Sequence, residues 1–205
     1  MQIIMMDVDG VLVAGRPKDG AHLFTDLEAD LGISAPTLQR EFFKPRWPDI
    51  ITGRKALLPE LAEFLTDIAS AVSAQTLIDY WFENDSRLVE AVIEGMAELR
   101  TRGHLVYLAT NQEHMRATYL MEVMGLARQV DGIFYSAAIG HRKPSQQFYR
   151  HIQDTLGSSP DDITLVDDTE DNVIAAREQG WNAIHWRANM SLLDELAKVP
   201  RRFPA

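Results

Sequence analysis

Apolar positions along the chain fall into two rhythms. Ile3-Ile4-Met5-Met6 is an unbroken apolar run, which reads as a central strand buried on both faces. Runs of the same kind return at about 104–109, 132–136, 163–166 and 183–186. Between them the period lengthens to that of a helix. Val89, Val92, Ile93 and Met96 share one face of a helix predicted over about 88–100. Further helices are predicted from Asn111 to about Met124, from Ser145 to Gly157, after Asp168 to Gly180, and from Ser191 onward. Strands alternating with amphipathic helices predict an α/β fold, a Rossmann-like doubly wound parallel sheet covered on both faces.

Residues 15–87 break this rhythm, being helical without a convincing strand. Thr25-Asp26 can cap a short helix closed by Gly32, and Ser34-Ala35-Pro36 can start another to about Phe43. Lys44-Pro45-Arg46-Trp47-Pro48 is expected to interrupt the chain. A longer helix follows Pro59, with Leu61, Phe64, Leu65 and Ile68 on one face, and a further one carries Leu77, Ile78, Trp81 and Phe82. The expected organisation is a core domain of residues 1–14 and 88–205 with a helical domain, 15–87, inserted. Trp47, Trp81 and Phe82 are expected in the core of the insertion. Arg46, Arg54 and Lys55 are its candidate contacts to an anionic ligand, while Arg142 and His141 border the Lys143 loop. Arg201 and Arg202 are expected in a solvated tail.

The polar residues gather where the predicted strands end: Asp7 and Asp9, Thr110 and Asn111, Asp167 and Asp168, with Lys143 in the loop after the third strand. Ligands of parallel sheets bind at those carboxyl ends. Side chains two apart on a strand project to the same side, so Asp7 and Asp9 are expected to face together. Two buried carboxylates cost several kcal/mol each unless something pairs them, and Gly10 permits a sharp turn beside them. Were all these groups to converge, four carboxylates would repel one another strongly. Mg²⁺ would supply two positive charges and Lys143 a third. Mg²⁺ suits the set because it uses few protein carboxylates, keeps waters and accepts phosphate oxygens. A carboxylate nucleophile beside such an ion suits phosphoryl transfer through an aspartyl-phosphate.

Composition narrows the partners. The 205 residues include no cysteine, which excludes disulfides and thiolate chemistry, and six scattered histidines without zinc-site spacing. A formal net charge of −10 repels nucleic acid and anionic membranes. No apolar run reaches membrane-spanning length. The expectation is a soluble cytoplasmic protein, monomer or homodimer.

Four segments carry a resemblance. Asp7-Val8-Asp9-Gly10-Val11, Thr110-Asn111, Gly140 to Lys143-Pro144, and Val166-Asp167-Asp168-Thr169-Glu170-Asp171-Asn172 resemble, in order, motifs I to IV of the haloacid dehalogenase superfamily. The insertion at 15–87 lies where that family places its helical type-1 cap, and the likeness is to the sugar-phosphatase and β-phosphoglucomutase-like branch. The resemblance implies that Asp7 is the nucleophile and a metal ligand. It implies that Asp9 is the general acid and then the base, its main-chain carbonyl binding Mg²⁺. Thr110 and Asn111 would hold and position the phosphoryl oxygens, and Lys143 would neutralise the phosphate and Asp7. Asp168 would be the third protein ligand and Asp167 would hold a metal-bound water, with the order inside this pair open. Asp171 and Asn172 would cap or support. The implied reaction is hydrolysis of a small phosphorylated metabolite, a sugar phosphate or nucleotide. The alternatives are a phosphomutase of the β-phosphoglucomutase type, a metal-free 2-haloacid dehalogenase, against which Asp9 counts, and a non-catalytic binding protein.

Overall fold

The computed structural model describes residues 2–199. Five strands, β1 (Ile3–Met6), β2 (Leu105–Thr110), β3 (Gly132–Tyr135), β4 (Ile163–Asp167) and β5 (Asn182–His185), form one sheet. Every pairing is parallel and the order is β3-β2-β1-β4-β5. The chain moves outward through β2 and β3, then crosses back to lay β4 and β5 on the other side of β1. The carboxyl end of β1 therefore lies where the strand order reverses, the place at which doubly wound sheets bind ligands.

Five helices lie in the stretch between β1 and the return of the sheet: α1 (Leu27–Leu31), α2 (Ala35–Thr37), α3 (Lys44–Ile50), α4 (Leu57–Ile68) and α5 (Ala74–Asn84). Six more follow, namely α6 (Glu90–Thr101), α7 (His114–Thr118), α8 (Ser136–Ile139), α9 (Gln146–Leu156), α10 (Glu170–Glu178) and α11 (Leu192–Ala197). None of the described helices is long and apolar enough to cross a membrane.

Alternate side chains of β1 enter opposite layers, as strand geometry requires. Ile4 and Met6 pack with Val92, Met96 and Leu99 of α6 and Leu192 and Leu196 of α11. Ile3 and Met5 pack with Phe148, Tyr149 and Ile152 of α9 and Ala175 and Ala176 of α10. A third cluster belongs to residues 15–87, where Leu27, Phe42, Ile50, Leu61, Phe64, Leu77, Ile78 and Phe82 are buried together. Trp47 and Trp81 pack against it, and so do Met115 and Tyr119 from the segment after β2. The insertion thus has its own apolar centre and shares one wall of it with the core.

Several local expectations need correction. Lys44 to Pro48 is no interruption, for α3 runs through it with Pro45 in its first turn and Pro48 inside. Proline in a first turn sacrifices no helical N–H bond. The preceding Leu38–Phe43 is a π-helical segment, and the Lys44 N–H bonds back to the Gln39 carbonyl, five residues away. Burial of Phe42 and Ile50 holds this path against the local propensity of Pro48. Asp26 precedes α1 but does not cap it, its carboxylate being drawn instead to Arg16 and Lys18. The loop expected after β3 opens with the single turn α8. Ser145 and Ser191 do cap α9 and α11 through their side chains. Arg201 and Arg202 lie outside the described residues.

Candidate active site

The carboxyl ends of β1 and β4 deliver the central cluster. Asp7 follows β1 directly, and its N–H donates to the Val166 carbonyl at 2.9 Å, continuing the strand pairing by one residue. Asp167 is the last residue of β4 and is fully buried. Between them stands Lys143, only 2% exposed. Its Nζ lies 2.9 Å from Asp7 Oδ1 and 2.6 Å from Asp167 Oδ2. Asp167 is saturated: Oδ1 also accepts from the Thr169 N–H at 2.9 Å, and Asn172 Nδ2 spans both oxygens at 3.0 and 3.1 Å. Carboxylate oxygens of Asp7, Asp167 and Asp168 lie within 4.8 Å of one another. Asp168 is the exposed member, with an oxygen free to face outward.

Gly10 makes this approach possible. Its φ is +78°, and a Cβ there would fall 2.1 Å from Asp168 Oδ2. Any other residue would both strain the turn and displace the acid.

Three acids around one cation leave an excess of negative charge, and the titration behaviour reflects it. Burial pushes Asp7 up to about 7; Lys143 opposes this, while Asp167 and Asp9 add to it. Burial would lower the Lys143 pKa, yet Asp7 and Asp167 carry it above the ordinary lysine value. Asp168 is also raised, by burial and then by Asp167. A divalent cation fits this donor set: hard oxygen ligands, more negative charge than Lys143 can match, and one carboxylate open to the outside.

Asp9 stands apart from the three clustered carboxylates. Its Oδ2 accepts from Gln112 Nε2 at 2.7 Å. Crowding by the surrounding protein pushes Asp9 up to about 6, Asp85 adding to the rise and Arg116 opposing it. Gln112, Asp85 and Arg116 are not among the candidates that the sequence points to. Gln112 lies two residues past the end of β2, and a polar residue beyond a strand's carboxyl end is the signal that marks it. Asp85 and Arg116 carry no local signal. Arg116 is buried, donates to the main-chain carbonyl of Asp85, and pairs with its carboxylate at 3.3 Å. The guanidinium also packs on the rings of Phe82 and Tyr119, 5.3 and 5.4 Å from their centres. Glu113 aims it, capping α7 by accepting from the N–H groups of Met115 and Arg116.

The remaining candidates divide. Thr110 ends β2 almost fully buried, its hydroxyl 3.5 Å from Gln112 Nε2. Asn111 does not present its amide to the centre of the site. Its Oδ1 accepts from the Lys143 N–H at 2.8 Å and its Nδ2 donates to the Lys143 carbonyl at 3.1 Å, so it fixes the main chain that carries the lysine. The basic trio of the insertion is already partnered. Arg46 meets Glu60 and Glu63, Arg54 meets Asp49, and Lys55 meets Glu60. Ser136 ties the insertion to this end of the sheet, its hydroxyl reaching the carbonyls of Ile51 at 2.6 Å and Gln112 at 3.1 Å.

Comparison with known proteins places the chain. A sesquiterpene phosphatase of Aspergillus oryzae is 34% identical over 104 residues, 51% of this chain and 53% of that protein; the chain thus spans about half the length of this relative. A phosphoglycolate phosphatase of Thiobacillus denitrificans is 25% identical over 186 residues, covering 88% of this chain and 80% of that one. Among solved structures, a haloacid dehalogenase family enzyme of Bacteroides thetaiotaomicron in complex with magnesium and inorganic phosphate superposes with a TM-score of 0.78. It shares 14% identity over 94% of this chain and 97% of that one, a likeness of fold. The family profile described as haloacid dehalogenase-like hydrolase matches residues 1–180, and the chain belongs to that family.

Proposed function

We propose that this protein is a Mg²⁺-dependent phosphatase that cleaves a small phosphate monoester through a phospho-aspartate on Asp7. Residues 15–87 would act as a cap over a core of 1–14 and 88–205. The observation that carries the reading is Lys143, buried and bridging Asp7 and Asp167, with Asp168 open beside them. Phosphatases among the relatives and the magnesium and phosphate held by the structural neighbour support it.

Asp7, Asp168 and the main-chain carbonyl of Asp9 would hold Mg²⁺. When bound, the ion neutralises phosphoryl oxygens and favours the ionised form of Asp7. The chain's own groups do the rest. One Asp7 oxygen rests on Lys143 Nζ, which leaves the other to attack phosphorus in line. Lys143 then also meets the phosphoryl oxygens, with Thr110 on their other side. Asp9, whose raised pKa lets it keep a proton near neutrality, gives that proton to the departing alcohol oxygen. Gln112 holds one Asp9 oxygen, so the other is aimed at the leaving group. The ionised Asp9 afterwards takes a proton from the water that cleaves the phospho-aspartate.

The test is phosphate release from a panel of phosphorylated metabolites with and without Mg²⁺. EDTA should abolish turnover, and Asp7→Asn should lower it by at least about a thousandfold. Turnover that survives both treatments would overturn the reading. Conversion of a hexose phosphate to its isomer without free phosphate would move it to a phosphomutase.

A further inference from the structure

A cavity of about 610 Å³ opens from Asp9 and Gly10, between the first turn of the insertion and the end of α5. Its walls are Val13, Ala14, Ala21, His22 and Leu23 on one side and Trp81 and Asp85 on the other, with the His22 Nδ1 accepting from the Phe24 N–H at 3.2 Å. Because it starts at the acid assigned to the leaving group, its occupant is the alcohol part of the ester.

The charges around this cavity are unequal in their partners. Asp85 is held by Arg116, and Asp9 by Gln112. Arg16, beneath the wall, is spent on Asp19 and Asp26, both at 2.6 Å. Arg87 also lines the cavity; the residue is exposed, and its guanidinium has no acidic partner among the described residues. Its main chain and its place over Gly20 are nonetheless fixed. The main chain is pinned on both sides, Ala14 N–H to the Arg87 carbonyl at 3.0 Å and Arg87 N–H to the Gly15 carbonyl at 3.4 Å. The guanidinium lies over Gly20, where a Cβ would come within 2.6 Å of Nη1. The Gly20 turn is itself clamped by hydrogen bonds between Arg16 and Gly20 and between Arg16 and Ala21. A chain of net charge −10 repels a second anion on its substrate unless a local cation receives it.

We infer that Arg87 selects substrates, receiving a carboxylate carried by the alcohol part of a small phosphate monoester. This rests on the phosphatase reading and names the substrate class within it. A charge-assisted contact is directional and fork-shaped on the arginine side, which matches a carboxylate. Arg87 touches no reacting atom; it sets affinity and leaves the chemical step unchanged.

A matched pair of esters tests this. Phosphoglycolate carries a carboxylate where ethyl phosphate carries a methyl group. The unaltered protein with Mg²⁺ should show the lower KM for phosphoglycolate. Arg87→Met should raise that KM by roughly tenfold or more, leave kcat within about a factor of three, and leave both constants for ethyl phosphate unchanged. Arg87→Lys should recover part of the loss. Equal KM values for the two esters in the unaltered protein, an Arg87→Met variant without effect, or an effect shared by both esters overturns the assignment while leaving the phosphatase reading intact. So does turnover of other phosphates in the wider panel but of neither ester. Turnover of no phosphate at all removes that reading and this inference with it.

Discussion

In the insertion, Arg16 meets Asp19 and Asp26, Arg46 meets Glu60 and Glu63, and Arg54 meets Asp49. At the carboxyl end of the sheet, Lys143 alone faces Asp7 and Asp167, with Asp168 beside them and Asp9 across the site. The same kinds of side chain are balanced in one region and deliberately unbalanced in the other. Balanced pairs at a surface are screened and add little to stability. An unbalanced buried cluster costs stability in the absence of a ligand, so its persistence points to work done on something that binds there.

The largest expected effect follows from removing the one cation of the unbalanced region. Lys143→Met should lower turnover on the order of 10²- to 10³-fold, since charge stabilisation at the reacting phosphate is lost. It should also destabilise the protein by about 3 kcal/mol, because Asp167 stays buried with only Asn172 and Thr169 to satisfy it. Urea unfolding read beside steady-state rates checks both. A variant as stable as the parent would show that the cluster is not held together by Lys143.

Arg116→Met probes the seam between the regions. Here a balanced pair is buried, so its loss should register: about 2 kcal/mol, from the unpaired Asp85 and the carbonyl of Asp85 left without its donor. The figure sits below the loss at Lys143 because Asp85 keeps some exposure to water. Turnover should fall less than stability. A larger loss in rate than in stability would make Arg116 part of the catalytic apparatus.

These contrasts also explain what could be read from the sequence. Asp7, Asp167 and Asp168 declare themselves locally, each at the end of an apolar strand whose period-2 or continuous pattern fixes where the strand stops. The parallel fold follows from the same local rhythm. Asn111 stands at the expected strand end, and the contact it makes there, to the Lys143 main chain 32 residues away, leaves no trace in spacing. Partners of Arg46, Arg54 and Lys55 lie 5 to 17 residues off on neighbouring turns, so their neutralisation was invisible and they looked available. The helix through Pro45 and Pro48 was hidden for another reason: burial of Phe42 and Ile50 outweighs local propensity, and no local rule weighs burial.

The two regions should separate along the pH axis. Asp7 and Asp9 have folded-state values of about 7 and about 6, raised from the ordinary 3.8. Between those limits the folded protein binds more protons than the unfolded chain, so stability falls as pH rises. Their contribution is complete below about pH 4 and is lost as pH climbs through 6 and 7. In the insertion, Asp19, Asp26 and Glu60 are lowered, chiefly by hydrogen bonds from Arg16 and Lys55. Their smaller contribution has the opposite sign, present above the unfolded value and lost as pH falls below it. With EDTA present, the melting temperature should therefore drop by several degrees between pH 5 and pH 8. Mg²⁺ should restore more of it at pH 8 than at pH 5, where protons compete for the same oxygens. A metal-free melting temperature that is flat or rising over this range counts against the unbalanced cluster.

The smallest effect tests the balanced side. Arg54 and Asp49 are both well exposed, 58% and 43% for their side chains, at 2.8 Å. Holding two long side chains in one geometry offsets most of the Coulomb gain in water. Arg54→Gln should change stability by no more than about 0.5 kcal/mol. With its charge already met by Asp49 and its Nη2 donating to the Pro48 carbonyl at 3.1 Å, Arg54 is held against its own turn of the insertion. KM for phosphoglycolate should stay within about a factor of two, in contrast to the rise of roughly tenfold or more expected for Arg87→Met. A KM that rises for Arg54→Gln and not for Arg87→Met would reverse the assignment of which cation is free to bind, and with it the rule that pairing within the fold separates structural charge from functional charge in this protein.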